Sequence, residues 1–126
     1  MRIGPVYVID DDSAVTSSLE FYLSASGIAC RCFMGPLEFL TALDELSPGC
    51  ILMDVHMPKM SGIELHALLV KRSIDWPVIL MSGECDTTAV QQALALGAVE
   101  FIAKPFAGDD LRLAMERAFA RLPDLS

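Results

Sequence analysis

Short apolar runs recur along the chain at Val6–Ile9, Ile28–Phe33, Cys50–Met53, Val78–Met81 and Val99–Ala103. Several are continuous rather than alternating, the pattern of strands covered on both faces in a parallel sheet. Segments with helical spacing lie between them. Val15, Leu19, Tyr22 and Leu23 recur along one helix face, and Leu37, Leu40 and Leu43 mark a second helix. Ile63–Lys71 makes a third, Thr88–Leu96 a fourth, and Leu111, Met115, Ala118 and Leu122 the last. Pro36 suits a first helical turn, while Gly27 and Gly97 suit C-terminal stops. Strict alternation of five strand–helix units predicts an α/β fold, a mainly parallel sheet with helices on both faces.

Such sheets bind ligands beyond the carboxyl ends of their strands, near the point where strand order reverses. The first run ends in Asp10, Asp11 and Asp12, the third in Asp54, the fourth in Ser82 and Gly83, and the fifth in Lys104 and Pro105. The fold brings these ends to one edge, so carboxylates, a hydroxyl and an ammonium converge. Taken singly, each residue has a plain structural use: a helix-capping Asp, a surface Lys, a loop Ser. Together, on successive strand ends, they call for chemistry. Clustered carboxylates repel unless one is protonated or a cation neutralises them. Oxygen-only ligands suit a hard cation, and a site that keeps several waters suits magnesium over calcium. No His or Cys cluster accompanies them to favour zinc, and His56 has no partner histidine. A carboxylate beside a metal can act as a nucleophile toward phosphorus, with a lysine and a hydroxyl holding phosphoryl oxygens. Asp54, a magnesium ion, Lys104 and Ser82 supply that set.

Composition narrows the rest. The 126 residues fit one domain, and the 53% hydrophobic content can fill a core. A net charge of −8 argues against nucleic-acid binding by this segment, which would need a basic footprint. No apolar run reaches bilayer-spanning length. The N-terminal stretch runs directly into three aspartates and lacks the pattern of a signal peptide, so a cytoplasmic protein with no membrane partner is expected. Cys30, Cys32, Cys50 and Cys85 form neither C-x-x-C nor a zinc-type pairing and read as small apolar side chains. Cys30 and Cys32 alternate along a strand and share one face.

These features resemble the receiver domains of two-component response regulators over essentially the whole chain. The acidic cluster reads VIDDD, the phosphoacceptor segment MDVHMPKMSGIEL, the fourth strand end MSG and the fifth GAVEFIAKPF. The wording is nearest to FixJ-type receivers. The resemblance implies a CheY-like sheet of five parallel strands in the order 2-1-3-4-5, with residues 1–122 as the receiver. Residues 123–126 would be a tail or the start of a linker to an output domain. It implies that Asp54 is phosphorylated and that Asp11 and Asp54 bind magnesium (or manganese) directly. The His56 backbone carbonyl would join them, with Asp10 acting through water.

Lys104 would bind the phosphoryl group, with a cis peptide before Pro105 placing it. Ser82 and Phe101 would be the switch residues, and His56 and Glu84 would tune phosphoryl lifetime. Gly62 would provide room after the Asp54 loop. Asp12, where many members carry Glu, is expected to cap a helix more than to bind metal. Implied partners are a sensor histidine kinase, a second copy through helix 4 and strand 5, and a C-terminal DNA-binding output domain. Val90, Leu94 and Val99 are candidates for exposed apolar contact on that face.

Two other readings compete. Haloacid-dehalogenase-like phosphatases also use an Asp nucleophile, magnesium and a lysine, but need a second Asp two residues on, where His56 stands. A P-loop nucleotide enzyme lacks its motif here. A phosphorylation-independent interaction module would lack the site residues that this chain carries.

Overall fold

A computed structural model describes residues 4–83, 87–105 and 108–122. Its elements follow the predicted alternation. They are β1 (Val6–Ile9), α1 (Ser13–Ala25), β2 (Cys30–Phe33), α2 (Pro36–Ala42), β3 (Cys50–Asp54), α3 (Gly62–Lys71), β4 (Val78–Ser82), α4 (Thr87–Ala95), β5 (Glu100–Ala103) and α5 (Gly108–Ala120). The strands form one sheet in the order β2-β1-β3-β4-β5, with every adjacent pair parallel. The order reverses between β1 and β3, which opens the crevice expected to hold a ligand.

Strand alternation builds two cores. Tyr7 and Ile9, Ile51 and Met53, and Val78 and Leu80 face a layer with Phe39, Leu65, Leu69 and Ala93. Val6 and Val8, Cys50 and Leu52, and Ile79 and Met81 face the opposite layer, with Leu19, Leu23, Leu111 and Phe119. Both faces of the central strands are therefore apolar, which is why their sequence runs are continuous.

Local chemistry sets the element ends. The Asp12 side chain accepts from the Ala14 N–H and caps α1, as its place before the helix predicts. Ser61 and Glu64 form a reciprocal capping box on α3. Gly27 and Gly97 take φ of +75° and +95° after α1 and α4, the left-handed stop expected of them. Pro36 opens α2.

The strand ends differ from expectation by a residue or two. β2 starts at Cys30 rather than Ile28, because the Ile28 N–H donates back to the Leu23 carbonyl to finish α1 (2.9 Å). The α2 expectation needs correction. Leu37 is 46% exposed, and Phe39 is the buried anchor, edge-on to Phe33 at 5.4 Å and near Tyr7 at 6.2 Å. Leu43 is buried but belongs to a separate 3-10 turn, Leu43–Glu45. Of the apolar candidates near α4 and β5, Leu94 is open to solvent, whereas Val90 is half-buried and Val99 packs into the core beside α1 and α5.

Two positions generate stability predictions. A Cβ on Gly62 would overlap the Asp54 carbonyl oxygen and come within 3.0 Å of the Leu80 side chain, so the helix start is seated on the site loop. Gly62→Ala is expected to cost about 1–3 kcal/mol in urea denaturation, the usual cost of overpacking against backbone. At the end of α3, Ser73 holds φ +61°. Ser73→Gly relieves a left-handed side-chain conformation and is expected to raise stability by about 1 kcal/mol in the same assay.

Candidate functional site

Register carries the chemical residues to one place. Ile9 lies opposite Met53, Asp54 opposite Met81, and Ser82 opposite Ala103. Asp10, Asp54, Ser82 and Lys104 therefore leave four adjacent strands at the same edge. Asp10 is fully buried, Asp54 nearly so, and Ser82 is buried at the end of β4, while Asp11 is exposed. Ligand oxygens of Asp10, Asp11 and Asp54 lie within 4.8 Å of one another.

Lys104 closes the cluster. Its Nζ is 2.7 Å from Asp10 Oδ2 and 3.4 Å from Asp54 Oδ2. The Lys104–Pro105 peptide is cis, as predicted, and the Lys104 N–H donates to the Ser82 carbonyl at 2.7 Å. The other Asp10 oxygen, Oδ1, accepts from the Asp12 N–H at 2.9 Å. Asp10 is thus satisfied from two directions.

The electrostatics are unbalanced. Burial raises the Asp54 carboxyl above its ordinary value, and the nearby Asp10 carboxylate raises it further. Lys104 and a hydrogen bond from the His56 backbone N–H pull the other way without cancelling the rise. Burial also pulls Lys104 down, but its hydrogen bond to Asp10 and the charges of Asp10 and Asp54 outweigh it. Lys104 is therefore held as an ammonium. One ammonium among three carboxylates leaves an anionic crevice suited to a further cation.

Of the residues singled out in the sequence, Lys104 meets Asp10 and Asp54 directly, and an Asp11 oxygen lies within 4.8 Å of theirs. His56 meets them through its backbone N–H, and its side chain is exposed. Phe101 is half-buried against the core containing Tyr7 and Ile9. Glu84 lies outside the described residues. The sequence reading missed the direct Asp10–Lys104 ion pair. Its sequence signal was the position of Asp10 directly after the first apolar run.

Comparison with known proteins agrees with this geometry. The family model described as "Response regulator receiver domain" matches residues 6–116. The transcriptional regulatory protein FixJ of Bradyrhizobium diazoefficiens is 41% identical over 115 residues, covering 91% of this chain and 56% of that protein. The response regulator protein TmoT of Ectopseudomonas mendocina is 34% identical over 118 residues, covering 94% of this chain and 54% of that protein. The chain thus spans about half the length of these curated relatives. The crystal structure of FixJ-N superposes with a TM-score of 0.92 at 34% identity, covering 99% of this chain and 100% of that one. The beryllofluoride-activated NtrC4 receiver domain dimer matches with a TM-score of 0.86 at 30% identity, covering 92% and 96%. From its sheet order to its anionic crevice, the chain belongs to the response regulator receiver domain family, the phosphoacceptor signalling modules of two-component systems.

Proposed function

We propose that Asp54 is the residue that accepts the phosphoryl group. The observation that best supports this is its carboxylate at the switch-point crevice, beside Asp10, Asp11 and the Lys104 ammonium. The clustered donors are carboxylate oxygens, which fit a hard divalent cation. Asp11, Asp54 and the His56 carbonyl would hold magnesium or manganese directly, with Asp10 engaged through water. Such a cation supplies neutralisation of charge on the phosphoryl oxygens.

The chain's own groups do the rest. An Asp54 oxygen attacks phosphorus on a phosphohistidine of a sensor kinase. A P–O bond forms, the P–N bond breaks, and the imidazole leaves with the electron pair and takes up a proton. Lys104 exchanges a carboxylate for a phosphoryl oxygen as a point charge. Ser82 donates its hydroxyl to another oxygen, and Phe101 moves inward behind it. His56 and Glu84 tune access of water. Contacts made only in the phosphorylated state shift a two-state equilibrium, and about 1–3 kcal/mol suffices for a several-fold change.

The output face in this reading is α4, β5 and α5. The exposed Leu94 supports pairing with a second copy, as does the likeness to a receiver dimer. A DNA-binding output domain following residues 123–126 fits a relative that is a transcriptional regulatory protein, 56% of which this chain covers. No described helix is long and apolar enough to cross a membrane, in keeping with a cytoplasmic site of action.

Labelling with acetyl phosphate tests the assignment. One phosphoryl group per chain is expected by intact mass, dependent on magnesium and abolished in Asp54→Asn. Lys104→Ala is expected to slow labelling by about 10²-fold. Labelling that persists in Asp54→Asn overturns the reading.

Charge compensation makes a second prediction. A carboxyl with a raised folded-state pKa favours folding below its unfolded value of 3.8, and that contribution is lost as pH rises through the folded value. Ionised Asp54 therefore destabilises the cation-free protein at neutral pH. Asp54→Asn is expected to raise the melting temperature at pH 7 in chelator, with the gain shrinking as the pH falls toward the unfolded value.

A further inference from the structure

We propose that Cys30 and Cys32, with Glu20, form a second cation site, for a thiophilic divalent ion such as zinc or cadmium. The two cysteines stand on β2, an edge strand, and lie opposite Val6 and Val8 of β1. Both side chains point to the layer containing α1 and are half-buried. Their Sγ atoms are 3.9 Å apart. Cys32 Sγ is also 3.6 Å from Glu20 Oε2 and 3.8 Å from the Thr16 carbonyl oxygen, both on α1.

The Cys30–Cys32 and Cys32–Glu20 separations match two edges of a coordination sphere, and Glu20 closes the third by turning toward Cys30. Two thiolates on a tetrahedral ion, each about 2.3 Å from it, lie about 3.8 Å apart, and a thiolate and a carboxylate oxygen roughly 3.5 Å apart. A disulfide would need the sulfurs at about 2.05 Å. The pair therefore has the bite of a bidentate metal ligand with little side-chain movement. Glu20 is exposed, so its carboxylate can turn further toward the sulfurs, leaving a fourth position for water.

The protons define the reaction. Burial first, and then the neighbouring Cys32 and Glu20, push the Cys30 thiol up to about 12. Burial likewise raises Cys32. Without an ion both groups stay as thiols. Binding forms two metal–sulfur bonds and releases two protons, so affinity is expected to climb by up to about 100-fold per pH unit near neutrality. The negative charge at Glu20 that opposes thiolate formation becomes attractive once the ion is present. Softness separates this site from the all-oxygen crevice of Asp10, Asp11 and Asp54.

Cadmium titration of the intact protein in excess magnesium tests the proposal. The readouts are the ultraviolet thiolate-to-cadmium charge-transfer band and protection from alkylation mapped by mass spectrometry. One ion per chain is expected, with Cys30 and Cys32 protected together and a two-proton slope of affinity against pH. Cys30→Ser and Cys32→Ser each abolish the band, Cys85→Ser retains it, and Glu20→Gln weakens binding about tenfold. The protection map on the unaltered chain keeps the test decisive should a serine variant fold poorly. No band at micromolar cadmium, half an ion per chain, or protection centred on Cys50 or Cys85 overturns it.

Discussion

The rest of the site depends on a half-buried ammonium shared by two carboxylates. Asp10 has no exposed side-chain surface, and an unpaired carboxylate there would cost several kcal/mol. Its partner comes from the far end of the sequence, Lys104, which follows β5. Pairing them requires β1, β3, β4 and β5 to lie side by side in that order and their carboxyl ends to align. The ion pair is therefore a consequence of the whole topology. It also ties the edge together, because the Lys104 N–H holds the Ser82 carbonyl while its ammonium holds Asp10.

The same arrangement leaves a deficit. One lysine cannot neutralise three neighbouring acids, and burial together with the Asp10 carboxylate raises the Asp54 carboxyl. A fold selected only for stability would replace one of these acids by a neutral residue. Retaining all of them keeps a crevice that gains from any added positive charge. The opposition between stability and ligand readiness is typical of sites that work by binding.

Much of this was legible in the sequence. Central strands buried on both faces need four or five apolar residues in a row, and such runs marked β1, β3 and β4, while Arg31 and Glu100 interrupt the edge strands β2 and β5. The residues after them named the site. What stayed hidden depended on contacts across the fold. Helix α2 has only seven residues, too few turns for spacing to decide its buried side, and the aromatic cluster of Tyr7 and Phe33 selected Phe39 over Leu37. Asp10 and Lys104 are 94 positions apart, and no local pattern pairs them. The alternation of Cys30 and Cys32 was readable, but the approach of Glu20 depends on how α1 lies over β2.

In the proposed mechanism, Lys104 links chemistry to signalling because it cannot serve every acceptor at once. Before phosphorylation its ammonium offsets Asp10 and Asp54. A divalent cation beside Asp11 and Asp54 weakens the lysine's hold by supplying that charge itself. A phosphoryl group then offers it oxygens on the Asp54 side of the crevice. Lys104 also shares a backbone hydrogen bond with the end of β4, where Ser82 stands. In that mechanism a small shift of the ammonium would reach the β4 and β5 ends through covalent geometry and this hydrogen bond. Coupling of this kind needs no long pathway. In the proposed mechanism, the ion pair that offsets the buried Asp10 would be the one whose exchange reports phosphorylation of the edge.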